Sequence, residues 1–183
     1  MVSLVSILDQ QLKNSRTDFY RKLNFPLTTK EIHEIEEQYG IVLPEDLKAL
    51  YLWKNGQAND CYESFVNNSV FLSLQDALEI ATEMTSLIGT EFDSENWWNK
   101  DWIPVFHNGG GDYICYDLGG TFTGRKGQLI EFWHADNDRN VIAPDLFSFI
   151  GMLNRYYQTH NPNTLDEYIE LDNIPGYPEN FMV

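Results

Sequence analysis

Apolar residues recur along this chain at two different periods. In the first half they return every three or four positions, the repeat of an amphipathic helix; past residue 100 the runs shorten to strand-like stretches. Leu4, Leu8 and Leu12 stand four apart and predict a helix over roughly residues 3–22. Thr28 with Glu31 three positions later spells a capping box, Ile32, Ile35 and Tyr39 then share one face, and Gly40 supplies the stop. Pro44 opens the next helix, with Glu45 and Asp46 suited to its positive end, Leu47, Leu50 and Tyr51 as its stripe, and Asn55-Gly56 as its close. Ser73 and Asp76 cap another, which turns Ala77, Ile80, Ala81 and Met84 inward and ends near Gly89.

The strand-like runs cover residues 102–106, 112–118 and 128–134, each aromatic-rich and bounded by glycines, with Phe65 and residues 70–72 adding an edge strand. Pro144 and Asp145 then open a last helix bearing Leu146, Phe149, Ile150, Leu153 and Tyr157. Helices in a block followed by strands in a block predict an α+β fold with an antiparallel sheet. A length of 183 residues, without repeats or a linker-like tract, fits one domain over residues 1–183. The 11 Phe, 10 Tyr and 5 Trp promise a well-filled core.

Charge alters the picture more than composition does. With 28 acids against 12 Lys and Arg the net charge is −16. Such a chain repels nucleic acid and anionic lipid and attracts basic partners. Its longest apolar run, residues 49–53, is far too short to span a membrane. Two cysteines, Cys61 and Cys115, form neither a disulfide framework nor a zinc spacing, and residues 1–8 are mildly apolar but have no basic stretch before them and Asp9 at once after them, so a signal peptide is not expected there. A reduced, cytoplasmic protein is the expectation.

Several stretches together resemble the SUKH superfamily, which includes the fungal cell-wall-assembly regulators. They are Leu43-Pro44, Leu50-Tyr51 and Asn55-Gly56; then Trp102-Ile103-Pro104, the run Gly109, Gly110, Gly111, Asp112, and Cys115 with Asp117; then Gly127-Gln128, Trp133-His134, and Pro144 with Phe147, Ser148 and Phe149. The resemblance covers about residues 26–155 and leaves outside it an N-terminal helix in 1–25, an acidic tail in 156–183 and an insertion around 91–100. It implies helices packed on one side of an antiparallel sheet. It implies either an immunity protein, which binds and neutralises a toxin delivered by neighbouring cells, or a regulatory scaffold of the fungal kind; neither is catalytic.

The residues themselves offer little for catalysis. Asn108 and the three following glycines lack the helix and the Lys-Ser/Thr of a phosphate loop, and Asp112 would repel phosphate, so a hairpin turn is expected. His134, Asp136, Asp138 and Asn140 copy the first half of a calcium loop, but Val141 replaces its glycine and Phe147 its bidentate Glu. A polar loop leading into the last helix is the expectation there. His33, His107, His134 and His160 are scattered, Cys115 lies in a strand, and Asp112 and Asp117 fall on opposite strand faces. No catalytic residue, metal or cofactor is expected.

The acids are distributed unevenly. Residues 55–99 hold Asp60, Glu63, Asp76, Glu79, Glu83, Glu91, Asp93 and Glu95 without a Lys or Arg, and residues 156–183 hold five more acids, again alone. Two readings stand: solvated charge for solubility, or a negative surface that steers a basic partner. Within the second reading Glu91, Asp93, Glu95, Asp60 and Glu63 are the contact candidates, and Trp97-Trp98 either anchors the interface or seals the core. The alternation of acids with Tyr168, Ile169 and Leu171 fits a final helix or a partner-binding tail. The partner expected from charge and resemblance together is a basic toxin domain, nuclease-like, occluded by carboxylates standing where substrate phosphates would bind.

Overall fold

The computed structural model describes residues 1–183, the side chain of Val2 excepted. Helices α1 (Val2–Ser15), α2 (Thr17–Arg21), α3 (Thr29–Tyr39) and α4 (Glu45–Tyr51) come first, then β1 (Val70–Phe71) and α5 (Leu74–Ser86). The strands β2 (Trp102–His107), β3 (Tyr113–Asp117), β4 (Leu129–Phe132) and β5 (Asp138–Ala143) follow, then α6 (Leu146–Thr159) and β6 (Glu179–Met182). The six strands form one antiparallel sheet in the order β1-β2-β3-β4-β5-β6. The fold is α+β, as the blocks of periodicity predict.

Local signals set most boundaries. Thr28 Oγ1 accepts the Glu31 N–H while Glu31 accepts the Thr28 N–H, and Gly40 ends α3 in the left-handed region at φ 64°. Ser73 Oγ and Asp145 Oδ1 cap α5 and α6. The glycine run makes the β2–β3 hairpin turn: Asn108 Oδ1 takes the N–H groups of Gly110 and Asp112 (2.8 and 3.2 Å).

Four expectations need correction. The helix over 3–22 breaks at Arg16 (φ −140°, ψ 54°). The break accompanies an inward turn of the Arg16 guanidinium, which stacks on Phe19 (3.8 Å) and donates to the Ser64 carbonyl (2.8 Å) and Tyr157 Oη (3.2 Å). Phe65 belongs to a bend beside β1, outside the strand itself. The polar loop after His134 is in large part β5, whose inward positions are Arg139, Val141 and Ala143. Residues 165–174, read as a final helix or a partner-binding tail, form no helix: they pack against α6 and the turn at Asn67 and Asn68, with Ile169 buried and Asn67 Oδ1 accepting the Leu171 N–H (2.9 Å), and the chain ends in β6.

One face of the sheet carries the main core. Leu8, Leu12, Ile32, Leu47, Phe149 and Leu153 of the helices meet Phe71, Phe106, Ile114 and Leu129 of the strands. The opposite face is covered too, by a second core of Trp98, Trp102, Cys115, Ile130, Phe132 and Val141, with Phe92, Phe122 and Phe181 against it. Among the described residues no helix is long and apolar enough to cross a membrane.

Candidate partner-binding groove

Asn55, Gly56 and Gln57 organise the region between α4 and α5. Asn55 Oδ1 accepts the N–H of Leu74, the first residue of α5 (2.9 Å). Gly56 has φ 74° and passes so close to the start of α5 that a β-carbon on it would lie 2.4 Å from the Ser73 nitrogen. Only glycine meets both conditions. Gln57 then closes the free edge of β1: its backbone N–H donates to the Phe71 carbonyl (3.0 Å), and its Oε1 accepts the Phe71 N–H (3.0 Å). Its amide Nε2 reaches the carbonyls of Cys61 and Glu63, which pins the loop 57–64 opposite α5.

The loop and the helix bound a groove of about 520 Å³. Its floor is β1, and His107 to Gly109 close one end. The α5 wall carries Asp76, Glu79 and Glu83, three and four residues apart and therefore on one helix face. None of the residues lining the groove is Lys or Arg. Ser73 Oγ donates to Asp76 (2.6 Å) and Gln75 Nε2 to Glu79 (2.8 Å), but no cation neutralises either, and Glu83 stands in the last turn against the helix dipole. Asp76, in the first turn, suits the dipole, whereas the like charges of Glu79 and Glu83 four residues apart are carried against the helix's electrostatic preference.

The opposite rim ends in Tyr62, 86% exposed, which makes no hydrogen bond and no ring contact among the described residues. Burial lowers the pKa of His107 against the opposing pull of Asp76, so its imidazole is neutral at pH 7. Its Nδ1 faces the Gly109 N–H (3.2 Å).

The contact candidates fare unequally. Glu91, Asp93 and Glu95 are exposed in the loop that follows α5, and none of them is ion-paired among the described residues. Asp60 is exposed on the groove loop. Glu63 is also exposed but already holds Lys22 (2.7 Å) and Arg16 (3.7 Å), with Lys22 first in lowering its pKa. Trp98 must be corrected. It is 2% exposed at the centre of the second core, edge-on to Trp102, Tyr113 and Phe132, so a partner cannot reach it in this fold. Trp97 is half-buried, its ring 4.8 Å from the Arg139 guanidinium.

The other polar residues singled out by sequence serve local bonds. Buried Asp117 accepts the N–H groups of Gly119, Gly120 and Thr121 and the Gln128 amide, and so holds the turn after β3. His134 turns to Asp112 (2.8 Å), Asn140 to Glu131 and Asp136 to the Asp138 N–H; they do not converge. Burial raises the Cys115 thiol pKa well above its ordinary value, which removes it as a nucleophile at neutral pH. The groove wall was the missed feature. Its acids were countable, but it takes the approach of Gly56 to Ser73 and the Gln57 bonds to the loop to set them opposite Tyr62.

An α+β domain of helices on an antiparallel sheet, with an acidic groove along one edge, is thus the class of protein present. More particularly, the chain belongs to the SMI1 / KNR4 family (SUKH-1), whose model matches residues 26–152. The groove lies wholly within that span; α1, α2, residues 165–174 and β6 lie outside it. No curated protein matches the chain.

Proposed function

We propose that this chain is a non-catalytic protein-binding domain that neutralises a basic, nuclease-like bacterial toxin by covering its cationic cleft. The observation that carries the reading is the groove wall of Asp76, Glu79 and Glu83, unopposed by any Lys or Arg. Membership of the SMI1 / KNR4 family supports a SUKH-type role. Glu91, Asp93, Glu95 and Asp60 extend the same negative field, which speeds encounter with a cationic surface and weakens with salt. Action in the cytoplasm belongs to the proposal, and two buried free thiols fit a reducing compartment.

Affinity capture from the native host, with the product of the adjacent gene included, tests the reading. Stoichiometric capture of one basic toxin domain, with loss of its activity, supports it. Capture of several endogenous proteins and no toxin refutes it in favour of a regulatory scaffold. One observation favours that second reading: a groove of about 430 Å³ between α1 and α4, edged by Val5, Leu52 and Trp53, offers another face of different chemistry.

A further inference from the structure

The dipeptide Asn-Gly occurs twice in the chain, at 55–56 and at 108–109. In such a pair an asparagine is open to attack by its own chain: the next nitrogen adds to the side-chain amide carbon, a cyclic imide closes and ammonia leaves. Glycine favours this because no β-carbon shields its nitrogen. A peptide nitrogen is a poor nucleophile until a base takes its proton, and an amide carbon is a poor electrophile until its oxygen is stabilised. The fold treats the two pairs differently. Asn55 Oδ1 is turned to another element, where it accepts the Leu74 N–H (2.9 Å), and Gly56 is buried. Asn108 is exposed in the β2–β3 turn and folds back along its own chain: Oδ1 reaches past Gly109 to the N–H groups of Gly110 and Asp112 (2.8 and 3.2 Å). Those donors stand where charge develops on the oxygen during addition. The Gly109 N–H itself donates to His107 Nδ1 (3.2 Å), within the reach of a general base. That bond fixes the ring proton on Nε2, and burial lowers the His107 pKa, so the base form prevails at neutral pH. Nδ2, the nitrogen that leaves, donates to Asp112 Oδ2 (2.7 Å), and Asp112 is held in place by the N–H and ring Nδ1 of His134 (2.9 and 2.8 Å).

We propose that Asn108 is a self-modification site: the turn converts it to aspartate and isoaspartate, with His107 as the base and water as the co-reactant. The Gly109 nitrogen bonds to Asn108 Cγ while its proton passes to His107 Nδ1. The Cγ–Nδ2 bond then breaks, the proton is returned to Nδ2, and ammonia departs. Water opens the imide at one carbonyl or the other, which gives isoaspartate or aspartate, and no electron is exchanged with any other group. Either product replaces a neutral amide by a carboxylate beside Asp112 and removes the bond from Nδ2 that holds the turn. Because His107 to Gly109 close one end of the acidic groove, the conversion also adds a negative charge there, whatever the groove receives.

The test keeps the full chain at neutral pH and constant temperature and follows residues 55 and 108 in the same molecules by peptide mapping and mass spectrometry, with isoaspartate resolved by chromatography. In the folded chain Asn108 should convert about tenfold or more faster than Asn55, and about tenfold or more faster than Asn108 of the same chain unfolded in guanidinium chloride. His107→Gln keeps an acceptor for the Gly109 N–H but is no base. It should slow Asn108 by about tenfold or more in the folded chain and by less than about twofold in the unfolded one. Circular dichroism of the variant checks that it folds; the comparison of folded and unfolded parent needs no substitution and decides the matter if it does not. Conversion of Asn108 that is no faster folded than unfolded, or that is unchanged by His107→Gln in a folded variant, overturns the proposal.

Discussion

Truncating Trp98 separates a core residue from an interface residue. Its indole lies edge-on to Trp102, Tyr113 and Phe132 with ring centroids 5.7, 6.1 and 5.1 Å away, and its Nε1–H donates to Thr85 Oγ1 (3.2 Å). Trp98→Ala removes the ring from a site that cannot collapse around three other aromatics, and such truncations cost about 3–5 kcal/mol. In a chain of this size each kcal/mol moves the melting temperature about 2–4 °C, so the midpoint should fall by roughly 6–20 °C. Trp98→Phe keeps an edge-to-face ring and loses the Thr85 bond, and should fall between the variant and the parent. Scanning calorimetry at fixed protein concentration reads the shift, and surface plasmon resonance reads dissociation of whichever partner is captured. A midpoint within about 2 °C of the parent together with faster dissociation would refute the placement of Trp98 in the second core.

Gly56→Ala should destabilise by more than the 1–2 kcal/mol or so of a left-handed β-carbon, because the methyl also meets Ser73; urea unfolding measures it. Two carboxylates should give pH dependences of opposite sign. Burial raises the pKa of Glu131 against hydrogen bonds from Asn140 and Trp133, so the native state binds the proton more tightly than the unfolded chain. The penalty of its charge is therefore full above the raised native value and absent below the unfolded one, and Glu131→Gln should raise the melting temperature at pH 7 but not at pH 3.5 or so. For Asp9 burial is the largest influence and opposes ionisation, but Lys13, Tyr20 Oη and Trp53 Nε1 together hold its pKa below the ordinary value. Its contribution is present above the unfolded pKa and lost as pH falls through the native one, so Asp9→Asn should be less stable at pH 7, with the gap closing in acid.

What the sequence made legible was what a few adjacent residues decide. The Thr28–Glu31 box, the Ser73 and Asp145 caps, the glycine turn before Asp112 and the stripe of α6 each depend on positions within one or two turns. The misread segments depend on distant ones. Arg16 breaks a helix whose leucine period runs on, because its guanidinium finds Ser64 and Tyr157 far along the chain. The β5 strand reads as a polar loop because its first inward residue is an arginine, and β6 is only four residues long with Asn180 and Met182 exposed. In the groove, the negative charge of residues 55–99 was visible as composition, whereas its shape depends on one glycine contact and on Gln57 closing an edge.

Arg139 ties these parts together. Its side chain is wholly buried in a chain of net charge −16, yet no carboxylate pairs with it among the described residues. Its Nε and Nη2 donate to the Trp97 carbonyl (3.1 and 2.9 Å), its Nη1 to the carbonyls of Asp136 and Asp138 (2.7 Å each), and its plane lies between the rings of Trp97 and Phe132. Burial lowers its pKa, but a guanidinium keeps its proton throughout the physiological range. A dehydrated cation is costly unless its donors are met, and here they are met by backbone carbonyls, that of Trp97 in the segment that follows α5 and those of Asp136 and Asp138 at the entry to β5. The insertion that sequence marks as aperiodic is thereby fastened to the sheet at Trp97, with Trp98 beneath it, while Glu91, Asp93 and Glu95 stay in water. Like charges on a slack loop would spread apart and would have to be ordered again at each encounter; charges on a loop pinned at both Phe92 and Trp97 have met most of that entropy cost in folding. The buried cation and the exposed anions are thus two sides of one device, a rigid negative edge presented by a domain whose own cations are largely committed within it.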